Sequence, residues 1–174
     1  MENTILGEGS ALKLGDDIST DLIIPGRFTS LRSDLKKLAQ HVLEDAEVEG
    51  TNQKFAALVR QGDYVVAGRN FGLGSSREIA PTTIKAAGAQ AILARSFARI
   101  FFRNAINVGL PVLVCDTGQI ETGDRIRVDL IQGFVENVTR KARIPFESLP
   151  PVMVRILEDG GLIAHVAKNG GFAF

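Results

Sequence analysis

Apolar and polar residues follow one another along this chain in three successive rhythms, and each predicts a different set of elements. The middle rhythm is the clearest. From Gly62 onward, short apolar runs at 63–67, 91–94 and 112–115 read as strands, separated by stretches of helical spacing at 78–87 and 97–107. This βαβαβ order predicts parallel strands joined by right-handed crossovers. Gly88 and Gly109 stand just past the two helices, where a stop is expected, and Ser96 precedes the second as a cap. After Gly118 the period falls to two. Ile126, Val128 and Leu130 alternate with charged residues, Gln132-Gly133 can turn, and Val135 and Val138 continue beyond it, which predicts a β-hairpin. Pro150-Pro151 opens a last helix through Val152, Ile156 and Leu157, ended by Gly160-Gly161.

The first third is less regular. Little regular structure is expected before the acidic stretch Asp16-Asp17-Ile18-Ser19-Thr20-Asp21, after which Leu22-Ile23-Ile24 is stopped by Pro25-Gly26. A polar loop over 26–32 leads to Ser33-Asp34, which can cap a helix whose Leu35, Leu38, Ala39, Val42 and Leu43 share one face. Residues 45–53 read as a connection and 55–59 as a short helical turn or strand.

With 174 residues, 45% of them hydrophobic, the chain can bury a substantial core, and one domain over 1–174 is expected. The 20 basic and 20 acidic side chains cancel and form no block of either sign, which argues against nucleic acid or an anionic membrane as partner. No positively charged leader precedes an apolar stretch, and no run approaches the roughly 18 apolar residues of a membrane span, so a cytoplasmic location is expected. A single cysteine, Cys115, excludes an internal disulfide framework and fits a reducing compartment.

Candidate chemistry concentrates in Gly72-Leu73-Gly74-Ser75-Ser76-Arg77-Glu78, between the first middle strand and its helix. Its glycines let the backbone approach a ligand, the helix start offers N–H groups and a positive dipole end, and Arg77 supplies a fork for a carboxylate. Either serine could bind an anion or serve as a base whose alkoxide the same field favours. The plainer reading is a strand-to-helix turn with serine as a cap. A dinucleotide site does not fit, because Arg77 occupies the third glycine slot, and a phosphate loop does not, because no Gly-Lys-Ser/Thr is present. Arg69 and Asn70, at the end of a strand, are better placed for a ligand than Arg95, Arg99 and Arg103, which read as a solvated helix stripe. His41, His165 and Cys115 lack companion ligands and read as structural.

Three segments carry a resemblance to a known family: Asp17-Ile18-Ser19-Thr20-Asp21, Gly68-Arg69-Asn70-Phe71-Gly72-Leu73-Gly74-Ser75-Ser76-Arg77-Glu78, and Ser96-Phe97-Ala98-Arg99-Ile100-Phe101-Phe102-Arg103-Asn104-Ala105-Ile106-Asn107-Val108-Gly109-Leu110-Pro111. Over residues 15–161 the chain resembles the small subunits of 3-isopropylmalate dehydratase, in the aconitase superfamily. The resemblance implies an α/β fold: a swivelling β/β/α three-layer domain with a parallel or mixed central sheet and a C-terminal β-hairpin plus helix. It also implies a hydro-lyase that isomerises 2-isopropylmalate to 3-isopropylmalate in leucine biosynthesis. A small subunit of homoaconitase, of 2,3-dimethylmalate dehydratase or of a related hydro-lyase is the nearest alternative. A non-catalytic carboxylate-binding regulatory domain is the alternative from another class.

Related enzymes hold a 4Fe–4S cluster with several thiolates, and one cysteine cannot do so. The resemblance therefore implies no metal or cofactor on this chain and a cluster-bearing large subunit as partner, whose docking surface offers a route to self-association when the chain is isolated. Position by position, Ser75 matches the catalytic base, Ser76 and Arg77 match contacts to a substrate carboxylate, and Thr20 and Asp21 match a segment beside the pocket, assigned here to substrate binding. Two departures are visible. Ile79 stands where relatives often have histidine, and the segment that selects the substrate's side group reads Arg27-Phe28-Thr29-Ser30-Leu31-Arg32, in which Phe28 and Leu31 suit an isopropyl group and Arg32 an additional carboxylate.

Overall fold

The computed structural model describes residues 5–75 and 77–171. Its seven strands form one mixed sheet in the order β4-β3-β2-β1-β5-β6-β7. The strands are β1 Ile5–Lys13, β2 Asp63–Ala67, β3 Ala89–Ala94, β4 Val112–Val114, β5 Arg125–Asp129, β6 Phe134–Asn137 and β7 Ala142–Pro145. The helices are α1 Thr20–Ile23, α2 Leu35–Ala39, α3 Phe55–Leu58, α4 Ile79–Ala86, α5 Arg99–Asn107, α6 Pro151–Glu158 and α7 Leu162–Asn169, with a 3₁₀ turn at Gly26–Leu31. As expected, β2, β3 and β4 pair in parallel through α4 and α5, and β5 and β6 form the antiparallel hairpin.

Alternation along the parallel strands sorts side chains into two cores. Val65, Ala67, Ile92 and Ala94 face one way and pack with Ile84, Phe101, Ala105 and Ile106 of the helices. Tyr64, Val66, Ala91 and Leu93 face the other way and meet Ile126, Val128, Val135 and Ile144 of the antiparallel strands. The sheet therefore curls over itself, giving two β layers and one helical layer. Its outer strands meet at a corner, where Cys115 bridges Phe146 and the Glu147 N–H donates to the Val114 carbonyl at 2.9 Å. Each fully buried Val, Leu or Ile stabilises the fold by about 1.5–3 kcal/mol relative to exposure. Tyr64 adds a hydrogen bond from its hydroxyl to the Gly7 carbonyl, 2.7 Å, inside the curled half.

The N-terminal stretch, where little regular structure was expected, is instead β1, the strand joining the parallel and antiparallel halves. Its alternation is broken by a register shift between Leu6 and Gly9, and a side chain at Gly9 would overlap the Gly62 carbonyl. Helix α2 begins at Asp34, whose carboxylate accepts from the Lys37 N–H, but ends at Ala39. Leu43 turns left-handed at φ 53° to donate its N–H to the Ile23 carbonyl, and Val42 and Leu43 are buried outside the helix. The hairpin gains a third strand, β7, which buries only Ile144 and so carries almost no apolar signal. Gly160-Gly161 is a corner between two helices: α7 follows, tied to α6 by the buried His165, whose Nδ1 lies 2.7 Å from Asp159.

Candidate active site

The parallel ladder does not stop where the strands do. Beyond β1 and β2, Gly68 N–H donates to the Gly15 carbonyl (3.1 Å), Asp17 N–H to Arg69 (2.8 Å), Gly72 N–H to Ile18 (2.7 Å) and Thr20 N–H to Leu73 (2.8 Å). On the other flank, Arg95 N–H donates to the Gly68 carbonyl (2.9 Å), Phe71 N–H to Ser96 (3.0 Å) and Ala98 N–H to Phe71 (2.9 Å). The loop carrying the candidate residues is thus held from both sides, at the C-terminal edge of the parallel strands where open α/β sheets bind ligands. Phe71 anchors it in the core between Phe97 and Phe101, and Gly72, at φ 82°, lies where a side chain would overlap the Phe101 ring.

Ser75 emerges from this ladder exposed, and its carbonyl accepts from the Arg77 N–H at 2.8 Å in a tight turn just before α4. Ser76 lies outside the described residues. Arg77 is three-quarters buried and its guanidinium lies 2.8 Å from the Asp21 carboxylate. Thr20 is buried, its hydroxyl has no hydrogen-bond partner among the described residues, and an added carbon at Gly74 would stand 3.2 Å from it. Two segments more than 50 positions apart are therefore brought together: Thr20 and Asp21 at the start of α1 meet the loop from Gly74 to Arg77. Glu78, which precedes α4, makes no side-chain cap hydrogen bond, so the positive end of the helix next to Arg77 in the chain is not offset by a capping carboxylate.

Residues 27–32 sit differently. Arg27 grips Asp45 through two hydrogen bonds of 2.6 and 2.7 Å, which hold the Asp45 carboxyl below its ordinary range. Its guanidinium also lies 4.6 Å from the centre of the Phe28 ring, which stacks on His41 at 4.1 Å. Phe28 and Leu31 pack against the helical core, whereas Thr29, Ser30 and Arg32 are exposed. Among the described residues, no hydrogen bond or ion pair joins this segment to the 75–77 loop.

Other candidates fall away from the site or change role. Ser96 does not cap α5, whose N-cap is Ala98; its hydroxyl instead accepts from the Asn70 N–H at 2.8 Å. Arg95 lies before α5 and faces Asp116 at 3.4 Å, leaving Arg99 and Arg103 as exposed residues on the helix. Burial first, and then the Asp116 charge, push the Cys115 thiol up to about 12, which leaves it a protonated core residue and a poor metal ligand. Sequence reasoning did not foresee the Asp21–Arg77 pair or the contact between Asp17 and Asn70. Only their joint placement at strand ends could have signalled either.

Residues 15–117 match the aconitase C-terminal domain. The chain is also 54% identical, over 93% of its length and 95% of the relative's, to 3-isopropylmalate dehydratase small subunit 2 of Archaeoglobus fulgidus. The chain belongs to the aconitase C-terminal domain family, as a hydro-lyase small subunit. A methanogen homoaconitase small subunit of Methanothermobacter thermautotrophicus is 48% identical over 92% of this chain and 91% of its own. The crystal structure of a 3-isopropylmalate dehydratase from Methanocaldococcus jannaschii superposes with a TM-score of 0.85 at 41% identity, covering 95% of both chains. In this small subunit the α/β architecture foreseen from the resemblance is the observed one, enlarged by β1, β7 and α7. Among the described residues no helix is long and apolar enough to cross a membrane.

Proposed function

We propose that this small subunit joins a larger, cluster-bearing subunit in the cytoplasm and there interconverts 2-isopropylmalate and 3-isopropylmalate by removing and re-adding water. The observation that carries the reading is an exposed serine at the mouth of a two-sided ladder, beside a guanidinium held by Asp21 and the start of a helix. Ser75, as an alkoxide, takes the proton from the carbon next to a carboxylate, the neighbouring carbon loses its hydroxyl, and an isopropylmaleate double bond forms. Water then returns with the opposite regiochemistry, Ser75 giving the proton back. A serine hydroxyl is a poor base in water; the helix pole and Arg77 favour its anion, and a partner closing over the exposed loop removes the competing solvent.

Arg77 and Ser76 bind the substrate carboxylate whose negative charge grows during proton removal. Asp21 contributes through Arg77, fixing the plane of the fork, and the buried Thr20 hydroxyl lies against Gly74 on the same side. Cys115 is a poor ligand, and among the described residues no group of three or more His, Cys, Asp or Glu side chains could hold a metal ion. A 4Fe–4S cluster held by the large subunit would supply the Lewis-acid chemistry that helps the hydroxide depart.

The test is reconstitution with the cognate large subunit, followed by assay of 2-isopropylmalate, homocitrate, citrate and 2,3-dimethylmalate. Turnover of 2-isopropylmalate is expected, with none from the small subunit alone; turnover of homocitrate only would remove the leucine-pathway assignment. Homoaconitase remains the second reading because of the methanogen relative and the exposed Arg32 in the specificity segment. Arg77→Lys in the complex is expected to raise KM by about 10-fold or more, the equivalent of one lost charge-assisted hydrogen bond. Steady-state kinetics check it, and an unchanged KM would remove Arg77 from the carboxylate site.

A further inference from the structure

Two segments lead into the site, and each passes through an uncommon backbone conformation. Asp17 (φ 57°) and Asn70 (φ 61°) are both left-handed without being glycine. Side chains disfavour that region, and Asn and Asp tolerate it best. Asp17 follows β1 and Asn70 follows β2, and the two side chains face one another: Asn70 Nδ2 donates to Asp17 Oδ1 at 2.9 Å. The same residues are pinned by their backbones. Asn70 N–H donates to Ser96 Oγ at 2.8 Å, Asp17 N–H to the Arg69 carbonyl at 2.8 Å, and Arg69 N–H to Asp16 Oδ1 at 2.7 Å.

Both residues are exposed, so their contact does little for the core, while each keeps a strained backbone. What they do control is direction. After the left-handed step at Asn70 the chain re-enters the ladder at Phe71, Gly72 and Leu73 and delivers Ser75. After the matching step at Asp17 it re-enters at Ile18 and delivers Thr20 and Asp21. One side-chain hydrogen bond thus couples the two turns from which the site is assembled.

We propose that Asp17 and Asn70 form a positioning clip for the reaction, fixing the 71–75 loop against the 18–21 segment so that Ser75 and the Asp21-held Arg77 keep one relative placement. The inference rests on the reading of Ser75 as the base, and it gives Asn70 a positioning role in place of the ligand contact that its position in the sequence suggests. Asn70→Gly keeps the left-handed backbone available and removes the amide. Asn70→Asp sets two carboxylates against each other. The N70D/D17N double substitution exchanges donor and acceptor across the same gap at the original net charge.

In the reconstituted complex, N70G and N70D are expected to lower kcat by about 10- to 100-fold with KM within about threefold of the original, because small misplacements of a reacting group weigh on the chemical step. The double substitution is expected to restore most of the loss. Melting temperatures should stay level, and a fall in melting that tracks the fall in kcat would assign the pair to stability and overturn the clip. So would wild-type kcat in N70G, or a double substitution no better than N70D. Amide hydrogen exchange of the peptide spanning 71–78, measured on the small subunit alone, is expected to quicken in both single variants and to recover in the double. That readout needs no substrate: unchanged exchange overturns the clip, whereas altered and rescued exchange in a complex inert toward every acid tested overturns the dehydratase reading instead.

Discussion

Replacing Ser75 with alanine is expected to lower kcat of the reconstituted complex by about 10²–10⁴-fold, the usual contribution of a positioned general base. KM for the hydroxy acid should change little, because the carboxylate fork of Arg77 and its Asp21 partner remain. Assembly should also persist. Ser75 is exposed in the small subunit and its part in the local turn is played by its backbone carbonyl, which accepts from the Arg77 N–H, so losing the hydroxyl leaves the loop's own bonds intact. Single-turnover and steady-state kinetics on a complex of matched cluster content measure the effect. Undiminished kcat would favour an anion clamp without catalytic duty, the alternative that shares every other feature of the loop.

Gly72→Ala should be the most damaging conservative change near the site. Its φ of 82° carries about 1–2 kcal/mol of strain for any side chain, and overpacking against a core ring adds about 1–3 kcal/mol. The added carbon would overlap the Phe101 ring, which belongs to the Phe71, Phe97 and Phe101 cluster anchoring the loop. Relief requires moving either the loop or α5, and the first displaces Ser75 directly. A loss of about 2–5 kcal/mol follows, visible as a lower denaturant midpoint, together with a loss of turnover in whatever fraction remains folded. Gly7→Ala is the control: no atom lies within 4 Å of the added carbon and its φ is not left-handed, so a change within about 0.5 kcal/mol is expected. Equal midpoints for the two variants would sink the packing argument.

The parallel half of the fold was legible because its signals are local. A strand such as Asp63–Ala67 is buried on both faces and apolar from Tyr64 onward, and Gly88 and Gly109 mark the ends of the helices beside it. β1 was hidden because its identity as a strand comes from partners on both sides, residues more than 50 positions away, rather than from its own glycine-rich alternation. β7 and α7 were hidden for other reasons: one buried side chain is no pattern, and a pair of glycines can close one helix or join two. At the site, the loop's glycines and Arg77 announced themselves, and the family resemblance supplied the role proposed for Ser75. The pairing of Arg77 with Asp21, and of Asn70 with Asp17, depends on which strand ends lie side by side. That is topology, which spacing along the chain does not carry.

Because β1 lies between β2 and β5, its two edges are satisfied by stretches made early and late in synthesis. The Asp16 to Asp21 turn hangs from the end of that strand, where Ala11 N–H donates to the Asp124 carbonyl and Lys13 N–H to Thr122 Oγ1, so its support includes residues as late as Asp124. A nascent chain halted after α5 would already contain every residue of the proposed site and yet lack the antiparallel neighbour that steadies β1. Full support for the proposed site is therefore expected only after those late residues have docked, although they contribute no chemistry to it.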